Sequence, residues 1–182
     1  MFLLGGGIAT TISGYKWYHI NKTPNLRYID DNKVLIANLA ETIIPRTNTP
    51  GAKDVKAEEA IIFLLKNVCD RKTQNNFIDG LKDVTSYSLN TYNKNFNDLT
   101  FSEQTATVNH FFKKGKNFKG NLGKAKNKYL GKSFFEILKY YTTVAFCTSR
   151  QGASEALAYD YIPGKYVGCI PLLAQQKSWA TK

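Results

Sequence analysis

Thiols, imidazoles and carboxylates are the groups with which this chain could do chemistry, and across its 182 residues they are few and scattered. Cys69, Cys147 and Cys169 form no CxxC pair, and with only His19 and His110 beside them no spacing gathers metal ligands. An odd cysteine count gains meaning in an oxidising compartment, where one thiol is left over for a partner. His110 precedes Phe111 and Phe112 and has no acid close in sequence to orient it, so a packed or surface role suits it better than that of a general base. Carboxylates pair at Asp30-Asp31 and Glu58-Glu59, but neighbouring positions on a helix point apart, and both pairs suit helix starts. Gly5 to Gly7 lie in an apolar tail and not between a strand and a helix, so they are no dinucleotide loop. No nucleophile elbow, Walker loop, HExxH pair or EF-hand loop occurs. The expectation is therefore no catalytic, cofactor-binding or metal residue in this chain, with an enzyme of dispersed active-site residues as the alternative.

Charge is the second source of function. The chain carries 25 Lys+Arg against 14 Asp+Glu, a formal charge of +11. Eight lysines (Lys113, Lys114, Lys116, Lys119, Lys124, Lys126, Lys128 and Lys132) fall in one stretch without an acid and supply +8 of that total. Phe118 and Tyr129 could serve there as stacking platforms for a nucleic-acid strand. Lysine point charges without arginine make a poor recognition surface, however, and a glycine-rich basic loop is more often solvated. The stretch is read as a solvated loop, or one docking on an acidic partner or lipid headgroups, and not as a nucleic-acid site. A basic helical binding module using Lys113 to Lys132 is the competing functional reading.

The elements that must position these groups are helical. No proline occurs in the 112 residues from Gly51 to Ile162, which permits long helices. Asp30 and Asp31 offer an N-cap before Val34, Leu35, Leu39 and Ile43 on one face, and Pro45 ends that helix. A second helix is expected from about Val55 to Val68, burying Ile61, Ile62, Leu64, Leu65 and Val68. A third carries Phe77, Leu81, Val84 and Tyr87 or Ser88, with Asp79, Lys82 and Asp83 facing out. Thr100 and Glu103 form a capping box opening a helix that buries Val108, Phe111 and Phe112. Glycines from Gly115 to Gly131 argue against a helix through the lysine stretch. Ser133 to Cys147 is apolar on nearly every face and predicts a central buried helix. A short helix from about Ser149 to Ala158 and an irregular tail from Tyr159 to Lys182 complete the chain. The fold class is all-α, a single domain of five or six helices with a long irregular C-terminal segment.

The amino terminus stands apart. Phe2 to Gly14 is uncharged and apolar; its 13 residues are fewer than the roughly 20 that span a bilayer and match the h-region of a signal peptide. Phe2-Leu3-Leu4 before Gly5-Gly6-Gly7 is similar to the part of a twin-arginine signal that follows its arginine pair, giving the expectation of a true start a few codons upstream. A frayed tail or partner-docking helix is the alternative, and retention as a membrane-associated anchor stays open. Tyr15 to Thr23 reads as a linker or interfacial stretch. Residues 1–24 are thus set apart as a signal-like or anchoring segment and linker, and 25–182 as the helical domain.

Two segments carry a resemblance. Leu39-Ala40-Glu41-Thr42-Ile43-Ile44-Pro45 with Thr47 to Lys53 resembles the opening signature of the gluconate 2-dehydrogenase subunit 3 family. Thr148-Ser149, Gly152-Ala153, Leu157, Tyr159 and the run Pro163 to Pro171 resemble its closing one, and Phe96 to Gln104 looks like its central helix start. Members are small subunits of membrane-bound, flavin-dependent sugar dehydrogenases. The resemblance implies an all-α, non-catalytic subunit on a large flavoprotein of the glucose-methanol-choline type. FAD would reside in that partner and haem c in a cytochrome subunit that accepts its electrons. It further implies a periplasmic location and a part in twin-arginine export, folding and stability of the catalytic chain. Cys147 and Arg150 depart from the tyrosine and acid that often flank Thr-Ser. On this reading Tyr159, Pro163, Gly164, Tyr166, Gly168, Cys169 and Pro171 form the partner-binding segment: a turn, amphipathic rings and close backbone approach. For Cys169 three alternatives stand: an inter-subunit disulfide, a free thiol, or an internal bridge to Cys69 or Cys147.

Overall fold

A computed structural model describes residues 16–115 and 127–162, with 164, 168, 169, 171, 174 and 176–180 of the tail. The described residues form an all-α single domain. Six helices are labelled here: α1 (Leu26–Asp31), α2 (Lys33–Ile43), α3 (Ala57–Asn67), α4 (Arg71–Tyr92), α5 (Phe101–Gly115) and α6 (Phe134–Thr148). A 3-10 turn at Phe96–Asp98 leads into α5, and a π-helical turn at Gly152–Ala156 follows α6.

The apolar helix α6 lies at the centre, packed against α2, α3, α4 and α5. Ile137, Leu138 and Ala145 of α6 join Leu35, Ile36 and Leu39 of α2, Ile61 and Leu65 of α3, and Phe77, Leu81 and Val84 of α4 in one buried cluster. Both ends of this core are fixed by caps. Thr100 N–H donates to Glu103 Oε2 at 2.8 Å while Thr100 Oγ1 accepts from Glu103 N–H, the expected box at the start of α5. Ser133 and Glu136 repeat the arrangement at the start of α6. Asp70 caps α4 through Thr73 N–H at 2.9 Å.

Several expected faces turn out differently. Asp30 and Asp31 do not cap the helix bearing Val34. They end α1, Asn32 makes the break, and Asp30 pairs with Lys66 at 2.7 Å while Asp31 pairs with Arg27. Val34 is 64% exposed, because the buried stripe of α2 runs through Leu35, Ile36, Leu39 and Ala40. Val68 lies past the end of α3 and is 66% exposed, whereas Ile62 and Leu64 are half-buried. Phe112 lies against the ring of Phe135 at 5.1 Å on the surface. Glu58 and Glu59 do occupy the first turn of α3, with Glu59 accepting from Lys33 Nζ at 2.8 Å. The stretch read as a linker is helical over 16–21. Ile20 is buried there, and Asn75 of α4 donates to the Ile20 and Lys22 carbonyls at 3.0 and 2.8 Å. Residues 1–15, with the signal-like segment, lie outside the described residues.

Candidate partner-docking site

The opening signature folds into a loop clamped by two carboxylates. Pro45 stops α2, and the chain must return 14 residues later to start α3. Glu41, in the last turns of α2, accepts from Arg46 N–H at 2.9 Å and from Lys53 N–H at 2.8 Å, so one side chain holds both arms of the loop. Asp54 closes it from the other side, accepting from Gly51 N–H at 2.8 Å and pairing with Arg46 Nη1 at 3.2 Å. A side chain at Gly51 would lie 2.6 Å from Arg46 N and collide with the Glu41 carboxylate, which is why glycine stands there. Glu41→Ala strips two backbone N–H groups of their acceptor. We expect it to cost about 1–2 kcal/mol, read as a fall in melting temperature by circular dichroism, while Glu41→Gln retains part of the clamp.

The closing signature is a helix stop and restart. Ser149 is extended (φ −72°, ψ 151°) and ends α6; its Oγ accepts from Gly152 N–H at 3.0 Å and so caps the next turn. Gly152 is buried with its Cα against the Phe146 carbonyl, leaving no room for a β-carbon. Leu157 N–H returns to the Gly152 carbonyl at 3.2 Å, closing the π-helical turn.

The residues that follow the opening signature, about a hundred residues away in sequence, meet the closing one in space. Asp54, Val55 and Lys56 from the loop face Ser149, Arg150, Gln151, Ser154 and Glu155 across an open groove of about 560 Å³. Its charges balance, with Asp54 and Glu155 set against Lys56 and Arg150. The tail departs directly from this groove. Ala158 pairs with Trp179 through Ala158 N–H to the Ser178 carbonyl and Ala180 N–H to the Ala158 carbonyl, both 2.8 Å. Lys177 Nζ donates to the Glu155 carbonyl beside them. The base of the tail loop is thereby pinned to the π-helical turn.

Of the predicted docking residues, Tyr159, Gly164, Gly168, Cys169 and Pro171 are exposed on that loop, while Pro163 and Tyr166 lie outside the described residues. Tyr161 (83% exposed), Ile162 (74%) and Trp179, which the sequence patterns do not single out, are among the large apolar side chains exposed there among the described residues. The run Tyr159-Asp160-Tyr161-Ile162 just before Pro163-Gly164 was the available signal: apolar residues in backbone that no helix or strand can bury.

The three cysteines differ in surroundings and none is bridged to another. Burial pushes the Cys69 thiol above its ordinary value; its hydrogen bond to Tyr141 Oη at 2.9 Å opposes this, and Asp70 reinforces it. The same burial and the same contact raise the Tyr141 phenol. Cys169 is exposed. We expect a thiol reagent at neutral pH to label Cys169 first and Cys69 last, as read by mass spectrometry of timed quenches.

The remaining candidates lie elsewhere in the fold. His110 stacks on Tyr87 at 4.2 Å between centroids and lies edge-on to Phe111. Among the described residues no three or more metal-ligating side chains cluster, and no helix is long and apolar enough to cross a membrane. Lys113 and Lys114 belong to α5, and residues 127–130 form one helical turn; Lys116, Lys119, Lys124, Lys126 and Phe118 lie outside the described residues.

Fold and site together define a small all-α domain whose distinctive backbone motifs gather at one end, beside an exposed aromatic tail. The family model described as gluconate 2-dehydrogenase subunit 3 matches residues 30–164, and the chain belongs to that family. No curated protein and no solved structure matches the chain. The family's description places it among subunits of an oxidoreductase complex.

Proposed function

We propose that this chain is the non-catalytic small subunit of an FAD-dependent sugar or polyol dehydrogenase in the periplasm. It binds the large glucose-methanol-choline-type flavoprotein and supports its twin-arginine export, folding and stability. A cytochrome subunit carrying haem c completes electron transfer in such a complex. The observation that carries the reading is the groove between the residues just after the opening signature and the closing signature, with the tail loop anchored beside it. Clamps as costly in sequence as Glu41–Gly51–Asp54 and Ser149–Gly152 suit a surface whose shape must be held for another molecule. Exposed Tyr159, Tyr161, Ile162 and Trp179 supply anchors of the type that dominate protein interfaces.

Cys169 extends this reading. Exposed on the loop, its thiol and a thiol of the flavoprotein form a disulfide, with two protons and two electrons passing to the thiol oxidant of the export compartment. The test is co-expression with a candidate flavoprotein, purification through a tag on this chain, and non-reducing electrophoresis. A flavin-bearing complex supports the reading, and a single linked band that splits on reduction and disappears in Cys169→Ser supports the bridge. Sugar oxidation by the isolated chain would reverse the assignment.

A further inference from the structure

A different face of the molecule concentrates the lysines. Two cavities lie side by side, sharing Gly131 and Lys132. The larger, about 630 Å³, has Phe111, Phe134 and Ile20 in its wall and Lys16, Lys82, Lys114 and Lys132 among its lining residues. The smaller, about 240 Å³, adds Lys72 and Lys128. Six lysines therefore meet three aspartates, and each aspartate is already engaged: Asp70 as the cap of α4, Asp79 with His19 at 3.2 Å, and Asp83 with Lys114 at 3.3 Å.

The lysines sit on fixed backbone. Asn76 of α4 donates to the Leu130 and Lys132 carbonyls at 2.8 and 3.1 Å, and Lys72 Nζ donates to the Lys128 carbonyl at 2.9 Å. Gly131 turns the chain between them at φ +77°, a conformation that favours glycine. Exposed rings lie on the same elements as the lining lysines. Trp17 and Tyr18 lie on the 16–21 helix whose Lys16 and Ile20 line the larger cavity, Tyr129 lies on the 127–130 turn, and Tyr140 lies beneath Lys132 at 5.0 Å.

Lysine ammonium groups without any lining arginine are point charges, suited to a diffuse array of phosphates rather than to one forked contact. Tyrosine and tryptophan are the rings that settle at the level of lipid headgroups. A base-stacking role fits less well, because lysines without arginine make a poor surface for recognising nucleic acid. We propose that this face docks peripherally on an anionic lipid surface, with Lys16, Lys128 and Lys132 on headgroup phosphates and Trp17 and Tyr129 at headgroup depth. The inference stands apart from the partner reading, which uses the other end of the molecule.

The test is co-sedimentation of the full chain with vesicles of phosphatidylcholine, with and without phosphatidylglycerol, together with tryptophan emission. We expect binding to the anionic vesicles that falls with added salt. Each lysine near such a surface contributes about fivefold in partitioning, so Lys16→Gln/Lys128→Gln/Lys132→Gln loses on the order of a hundredfold. A blue shift on anionic vesicles should persist in Trp179→Phe and vanish in Trp17→Phe. Equal binding to neutral vesicles, unchanged binding of a triple variant that melts like the parent, or a shift that follows Trp179 would each overturn the proposal. So would displacement from the vesicles by inorganic phosphate or polyuridylate at matched ionic strength, which would point to a discrete phosphate site or a nucleic-acid surface instead.

Discussion

Gly152→Ala is expected to lower stability by about 2–3 kcal/mol, or about 5–10 °C in melting temperature for a chain of this size. A β-carbon there runs into the Phe146 carbonyl oxygen and crowds Ser149 Oγ, and backbone cannot step aside as a flexible side chain can. Relief requires opening the π-helical turn, which breaks the Gly152 N–H bond to Ser149 and the Leu157 N–H bond to the Gly152 carbonyl. The tail then loses its anchorage at Ala158, so partner capture should fall together with stability. Thermal denaturation followed by circular dichroism reads the first effect. A variant that melts within one degree or so of the parent would show that the turn accommodates a methyl group and that the glycine is there for another reason.

The second large effect separates binding from folding. Tyr161→Ser/Ile162→Asp changes two side chains that are almost wholly in solvent, so the melting temperature should stay where it was. Aromatic and aliphatic anchors at the centre of an interface commonly cost 2 kcal/mol or more each when removed, and a buried aspartate adds its own desolvation. Affinity for the flavoprotein should therefore drop by at least about a hundredfold, as measured by surface-immobilised binding of the purified chains. Unchanged affinity with unchanged stability would remove the tail from the interface.

How much of this could be read from the chain depends on the range of the forces involved. Helical periodicity and local capping are short-range, and they were legible: the Phe77, Leu81, Val84 stripe, the Thr100–Glu103 box, the stop at Pro45 and the central helix from Ser133 onward all appear as expected. Apolar residues at helix edges were misplaced for a physical reason. Val34, Val68 and Phe112 have the chemistry of core residues, but which face turns inward is decided by neighbours that periodicity does not contain. Phe112, for instance, ends against Phe135 of another helix. The break at Asn32 leaves no trace in the apolar spacing, which continues across it, so Asp30 and Asp31 carry the sequence pattern of a helix start although they form an end.

The site was legible as two sequence signatures but not as one place. Glu41 reaching Lys53, and Gly152 folding back on Phe146, are contacts across several turns of backbone that leave no periodic trace. The groove between residues 54–56, just after the first signature, and 149–155 of the second is a tertiary fact. The docking of residues 16–21 through Ile20 and Asn75 is likewise tertiary, since an aromatic, basic hexapeptide has no feature of its own that distinguishes a linker from a packed element.

On the proposed function, this chain works through a surface shared with a flavoprotein. Hydrogen exchange measured on the purified chain alone and on the same chain co-expressed with the large subunit addresses it most directly. We expect the complex to protect amides in 149–162 and 51–56 while the α4–α5 side keeps its free-state exchange. Protection confined to α4 and α5, or a chain that elutes alone with identical exchange in both samples, would contradict the account.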